Sequence, residues 1–326
     1  MLCDAAGNAK RAFRVIAAGS YGMEACMERK EQTTGQGRLQ YEIVSGTAVL
    51  TGYGGRDTSV VIPESVDGFP VVWIGKKAFL SNKTLRRIGL PDSLAGIGDW
   101  AFAFCGALES VTLPYRKLEI GQGVFKECQS LSRIRNSADM EAREDIACLL
   151  AATVGLLDAF YLFTPESAGS EGWLASFDAR AATQMKLADN EGFSKMLLCG
   201  EEDCGSRDTD VGYYMEQRRR GKVRLAMLRL FHDFGLKAGF RKELEDYLLA
   251  HVKGCESEET WRVILEEHGD EKPYYELLTG LSGVTEKNFQ GMMEDMGERH
   301  AEMKAYLMRY HDSLRKKEDA FAAFEL

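Results

Sequence analysis

The residues that could carry chemistry are few and poorly arranged for it. His300 and His311 stand eleven residues apart on a helical stretch, close to three turns, so one face would hold both. That is not the i, i+4 spacing of a paired metal ligand, and ordinary helix-surface histidines are the simpler reading. Cys199 and Cys204 bracket Gly200-Glu201-Glu202-Asp203, but no second Cys or His pair lies at zinc-site distance. The residues between them also lack the twelve-residue ligand rhythm of a calcium loop. Arg218-Arg219-Arg220-Gly221-Lys222 is a sharper feature. On a long helix it reads as a solvated face paired with nearby acids. The chain has no glycine-rich phosphate loop, no serine nucleophile elbow and no kinase signature. The expectation is a protein without catalytic activity, cofactor or metal, acting through a protein partner.

Composition agrees with a soluble globular chain. Of 326 residues, 45% are hydrophobic and 28% charged, and the length allows two domains. A net charge of -9 argues against non-specific nucleic-acid binding. The charge divides unevenly: residues 1–135 carry +4 and the remainder -13, which places a boundary near residue 136. The eight cysteines are scattered, unlike the disulfide framework of a small secreted domain. Met1 to Arg14 contains no secretory apolar segment, so the expected location is cytoplasmic, with the cell surface as the alternative. Ile146 to Phe163 is eighteen residues of mostly apolar character, interrupted by Gly155 and Asp158. A buried helix is expected there rather than a membrane span.

Any binding face must be positioned by the stretch from Val60 to Ile134. Ile74-Gly75, Ile97-Gly98 and Ile120-Gly121 recur every 23 residues, and Phe79, Phe102 and Phe125 keep the same interval. Asn82, Cys105 and Cys128 follow at a tight corner, then Leu85, Leu108 and Leu131. Such self-similarity marks a solenoid whose coils bury their faces only by stacking. In each coil a short strand, such as Leu85-x-x-Ile88-x-Leu90, turns alternate apolar side chains inward. The residues between then point out: Arg86, Arg87 and Gly89, next Glu109, Ser110 and Thr112, last Ser132, Arg133 and Arg135. Arg86, Arg87, Glu109, Thr112, Arg133 and Arg135 form the candidate binding face, since arginine is enriched at interface anchors. Packing of that face on the acidic half of the chain is the competing use.

The phrase Ile-Gly-x-x-Ala-Phe-x-x-Cys-x-x-Leu-x-x-Ile-x-Leu-Pro resembles the BspA-type (Treponema pallidum-type) leucine-rich repeat. Val61-Ile62-Pro63-Glu64-Ser65-Val66-Asp67-Gly68-Phe69-Pro70-Val71 resembles that family's first repeat. The resemblance spans about residues 40–136, departing at Asn82 for Cys and Val124 for Ala. It implies a role in protein–protein contact or adhesion, often at microbial surfaces.

The expected fold is therefore α+β in two parts: a short-stranded leucine-rich repeat solenoid at 39–136 and an all-α array at 137–326 that caps it. Residues 1–38 read as an extension, with Glu31 to Gly37 a polar linker. A hairpin is expected around Ser45-Gly46. Helices are expected over Asp139–Phe163, Trp173–Ala188, Glu191–Cys199, Val211–Phe234, Ala238–Val252, Ser257–His268 with Ser257 as N-cap, Lys287–Met296 and Ala301–Leu314.

Overall fold

The computed structural model describes residues 29–35, 37–137, 144–194 and 210–324. Cys199, Cys204, the loop between them, the start of the Asp139 helix and most of the N-terminal extension lie outside the described residues. The chain divides into two compact units after Phe177.

The first unit begins with strands β1 (Lys30–Thr34), β2 (Gly37–Val44) and β3 (Thr47–Gly54), joined as antiparallel neighbours. The polar segment read as a linker is thus strand β1. Its alternation carried no apolar signal because it is held by the ladder to β2 and by Gln40 Nε2 donating to Glu31 Oε1 at 2.9 Å. Ser45 (φ 52°) and Gly46 (φ 78°) make the expected hairpin turn, both left-handed as a two-residue turn between twisted strands requires.

The repeats follow as β4 (Ser59–Val61), β5 (Ser65–Val66), β6 (Phe69–Ile74), β7 (Arg87–Gly89), β8 (Gly96–Ile97), β9 (Ser110–Leu113), β10 (Glu119–Ile120) and β11 (Arg133–Asn136). Two sheets form the walls of the solenoid. In one, β3, β6, β8 and β10 run parallel; in the other the order is β11-β9-β7-β4, also parallel. The extra residues Asp67 to Val71 make a small hairpin, β5 with β6, turning at Asp67 (φ 48°) and Gly68 (φ 80°).

Inside, the phenylalanines stack one per coil: Phe79 to Phe102 at 4.9 Å and Phe102 to Phe125 at 5.6 Å between ring centres. Tyr53 closes one end of the column at 5.4 Å from Phe79, and Phe163 meets Phe125 edge-on at 5.8 Å at the other. The glycine after each isoleucine is demanded by the approach of successive coils. A Cβ on Gly98 would lie 2.8 Å from the Lys76 nitrogen, and one on Gly121 only 2.5 Å from that of Asp99. At the corner, Asn82 Oδ1 accepts from the Thr84 and Leu85 amides, while the Cys105 and Cys128 thiols donate to the carbonyls of Phe79 and Phe102. Burial raises both thiol pKa values, that of Cys128 to about 12, so they stay protonated donors.

Beyond β11 come α1 (Glu144–Gly155), a 3₁₀ turn at Phe160–Leu162 and α2 (Glu171–Lys186). Helix α1 packs against β11 with Leu149 and Leu150 buried, so the solenoid's end is covered from within its own unit. The 12 residues of α1 span about 18 Å, well short of a bilayer core. No helix among the described residues is long and apolar enough to cross a membrane.

The second unit, from Asp178, holds the rest of α2 and helices α3 (Val211–Phe231), α4 (Ala238–Leu249), α5 (Glu259–Glu267), α6 (Lys272–Gly280), α7 (Glu286–Met296) and α8 (Ala301–Phe324). Its core gathers Val223, Met227, Leu248, Trp261, Ile264, Tyr275 and Leu307. Helix α6 is absent from the sequence reading; Pro273 in its first turn and Gly280 at its end are its punctuation. Ser257 does not cap α5. Glu258 takes that position and turns its carboxylate back to the Gly254 amide at 3.0 Å and to Lys253 at 3.2 Å.

Candidate functional site

The parallel register of β4, β7, β9 and β11 sorts the outward residues into two columns. Ser59, Arg87, Ser110 and Arg133 form one; Val61, Gly89, Thr112 and Arg135 form the other. Between them, inward, Val60, Ile88, Val111 and Ile134 are buried. Strand alternation therefore brings Arg87, Thr112, Arg133 and Arg135 onto one face, with neighbouring rows about 4.8 Å apart, whereas Arg86 and Glu109 stand just before their strands. Ser110 departs from the expectation. It is only 9% exposed, a small side chain set in the ladder between Arg87 and Arg133.

The charges on this face fall into three states. Arg86 pairs with Glu109 at 3.0 Å across adjacent coils, and its side chain stays 60% exposed. Arg133 and Arg135, two residues apart on β11, close on the two carboxylate oxygens of Glu144 at the start of α1. Arg133 Nε donates to Oε1 and Arg135 Nη2 to Oε2, the latter at 2.7 Å. Burial opposes ionisation of Glu144, but the hydrogen bonds from Arg135 and Arg133 outweigh it and hold its carboxyl below the usual range. Arg87 is exposed and makes no ion pair among the described residues. Thr112, opposite Gly89 in the other column, is half-buried.

Glu144 was missed as a member of this face. The sequence signal is an acidic residue at a helix start shortly after the Arg133/Arg135 pair, obscured by reading the helix from Asp139.

The residues singled out for chemistry do not converge. His300 Nδ1 lies 2.9 Å from Asp270 Oδ1, and His311 lies against Glu286 at 3.0 Å with its ring stacked on Phe289. A hollow of about 350 Å³ is lined by His268, Asp270, Glu271, Arg299 and His300. Its imidazoles are already engaged, since His268 Nδ1 meets Glu271 at 2.9 Å. No group of three or more metal-ligating side chains is present among the described residues. The basic run on α3 is not a solvated face. Lys222 is 4% exposed and donates to Asp189 Oδ1 at 2.8 Å and the Leu187 carbonyl at 2.6 Å. Arg219 reaches Asp189 and Glu259, and Arg220 reaches Glu216, Glu266 and Glu267. Acids of α5 draw this run into the packed interior of its unit.

Residues 56–147 match the family described as BspA type leucine rich repeat region, in six copies. The solenoid is thus of the type its sequence resembles. Among solved structures, a leucine rich cell surface protein of Faecalibacterium prausnitzii A2-165 is similar at 30% identity, over 33% of this chain and 31% of that one, with a TM-score of 0.29. A leucine rich repeat protein of T. pallidum is similar at 28% identity over 32% and 65%, TM-score 0.25. One from Bacteroides ovatus is similar at 25% identity over 35% and 29%, TM-score 0.27. The chain spans less than two thirds of the length of each. No curated protein matches the chain.

Proposed function

We propose that the chain is a non-catalytic protein-interaction module that binds through the face of β4, β7, β9 and β11. The observation that carries this reading is Arg87, exposed and without an ion pair among the described residues, on a ladder whose other arginines, Arg86, Arg133 and Arg135, are engaged. Interface arginines contribute most when pre-positioned, because less side-chain freedom is lost on binding. The module works inside the cell with its thiols reduced. Display at the cell surface is the second reading, favoured by the match to a repeat type found in adhesion.

The test is capture of partners from the source cells by the full chain and by Arg87→Glu. Arg133→Glu would also set two carboxylates together at Glu144 and loosen the end of the solenoid, which Arg87→Glu avoids. The expected outcome is a specific protein recovered by the native chain and lost with Arg87→Glu, at a stability unchanged within about 0.5 kcal/mol. An identical set of partners for both would remove the face from the function. Protease treatment of intact cells separates the two locations.

A further inference from the structure

We propose that the open half of this face is a carboxylate seat and that its partner presents an acidic, extended peptide segment. The inference rests on the reading of the face as a binding surface and adds the chemistry of what it binds. The chain itself shows the chemistry at the other end of the same ladder, where Arg133 and Arg135 hold the two oxygens of Glu144. Two strands away in the same column stands Arg87, with no such carboxylate among the described residues.

The surroundings of Arg87 fit the same ligand. Gly89 occupies the position that Arg135 fills on β11, and its backbone does not require glycine. A Cβ there would meet only Val61 side-chain carbons, at 3.6 Å or more. The missing side chain therefore leaves the floor beside Arg87 uncovered. Thr112, half-buried and opposite Gly89 across the ladder, adds a hydroxyl that makes no side-chain hydrogen bond among the described residues. The nearby acid on the face, Glu109, is taken by Arg86. Four arginines against Glu109 and Glu144 leave the face with an excess of positive charge, complementary to an acidic partner.

The experiment is a fluorescence-anisotropy titration of the full chain with a labelled peptide of about six alternating Glu and Thr residues, long enough to lie as a strand. The controls are the same peptide with Gln for Glu and an oligothymidine of similar length. The expected result is binding of the acidic peptide about tenfold tighter than the Gln peptide, weakening as salt rises. Arg87→Gln should weaken it about tenfold with unchanged melting temperature, as loss of a charge-assisted pair does. Glu144→Gln should strengthen it, because Arg133 and Arg135 are released to the ligand. Equal binding of acidic and Gln peptides, both sensitive to Arg87→Gln, overturns the carboxylate assignment and leaves the face standing. Insensitivity to Arg87→Gln, or no binding of either peptide, overturns the seat, and the face then depends on the capture experiment. Tighter binding of oligothymidine overturns the assignment to a peptide.

Discussion

The two units of this protein solve the problem of polar groups in opposite ways. In the solenoid the interior is apolar, the charges sit outside, and small corner residues satisfy the backbone: Cys105 and Cys128 donate to carbonyls one coil back, and Asn82 accepts two amides. In the helical unit charge goes inside. Arg229 is fully buried, bridging Asp178 Oδ1 at 2.7 Å and Oδ2 at 3.1 Å and donating to the carbonyls of His232 and Phe234. Glu259, 3% exposed, faces Arg219 at 3.5 Å. A stacked repeat can meet every polar demand locally because each coil has a neighbour in register. Helices of unequal length have no such register, and long charged side chains such as Arg229 and Arg219 reach between them. The contrast teaches that one unit depends on shape repeated and the other on particular pairs.

Substitutions should therefore act differently in the two units. The largest effect is expected from Phe102→Ala, which empties the middle of the ring column and should cost about 3–5 kcal/mol in urea denaturation. A loss below about 1 kcal/mol would show that the column is not a close-packed core. Asp178→Ala strands the buried Arg229 and should cost about 3 kcal/mol. Its loss should fall on the unfolding of the helical unit, while that of Phe102→Ala falls on the solenoid. If both variants shift a single common transition, the two units are not energetically separate and the comparison fails.

The smallest effect is at Glu144. Its folded pKa lies below the unfolded value, so its contribution is complete above the ordinary carboxylate pKa of about 4.3 and disappears as pH falls through the folded value. The group is 45% exposed, which limits the contribution to about 0.5–1 kcal/mol. Melting curves of the native chain and Glu144→Gln should differ near neutrality and converge in acid. A difference that persists at low pH would sink the electrostatic account of this contact.

What could be read beforehand follows the same division. Phe79, Phe102 and Phe125, the leucine and isoleucine positions, and the outward placement of Arg86, Arg87, Arg133 and Arg135 were legible because one spacing phases every coil at once. Strand β1 was not, since an edge strand with polar side chains on both faces looks like a linker. Helix α6 was hidden because it buries only Tyr275, Leu278 and Thr279, too few to mark a period, whereas α5, of equal length, buries six residues. Burial of Lys222 was misread because its partners, Asp189 and the Leu187 carbonyl, lie more than thirty residues away in the chain. Pairs at such distances leave no period to detect. The face shows both cases within one site: its arginines follow the repeat, whereas Glu144, which decides which of them are available, lies past its end.

The column of rings has a bearing on how such a molecule can change its length. Its ends are closed by Tyr53 and Phe163, residues outside the repeating phrase, and nothing within the column counts the coils. Duplicating one 23-residue unit would add a ring, a corner and a row to the face while both terminal contacts re-form as before. The length of the face can thus grow or shrink in steps of about 4.8 Å without redesign of either end.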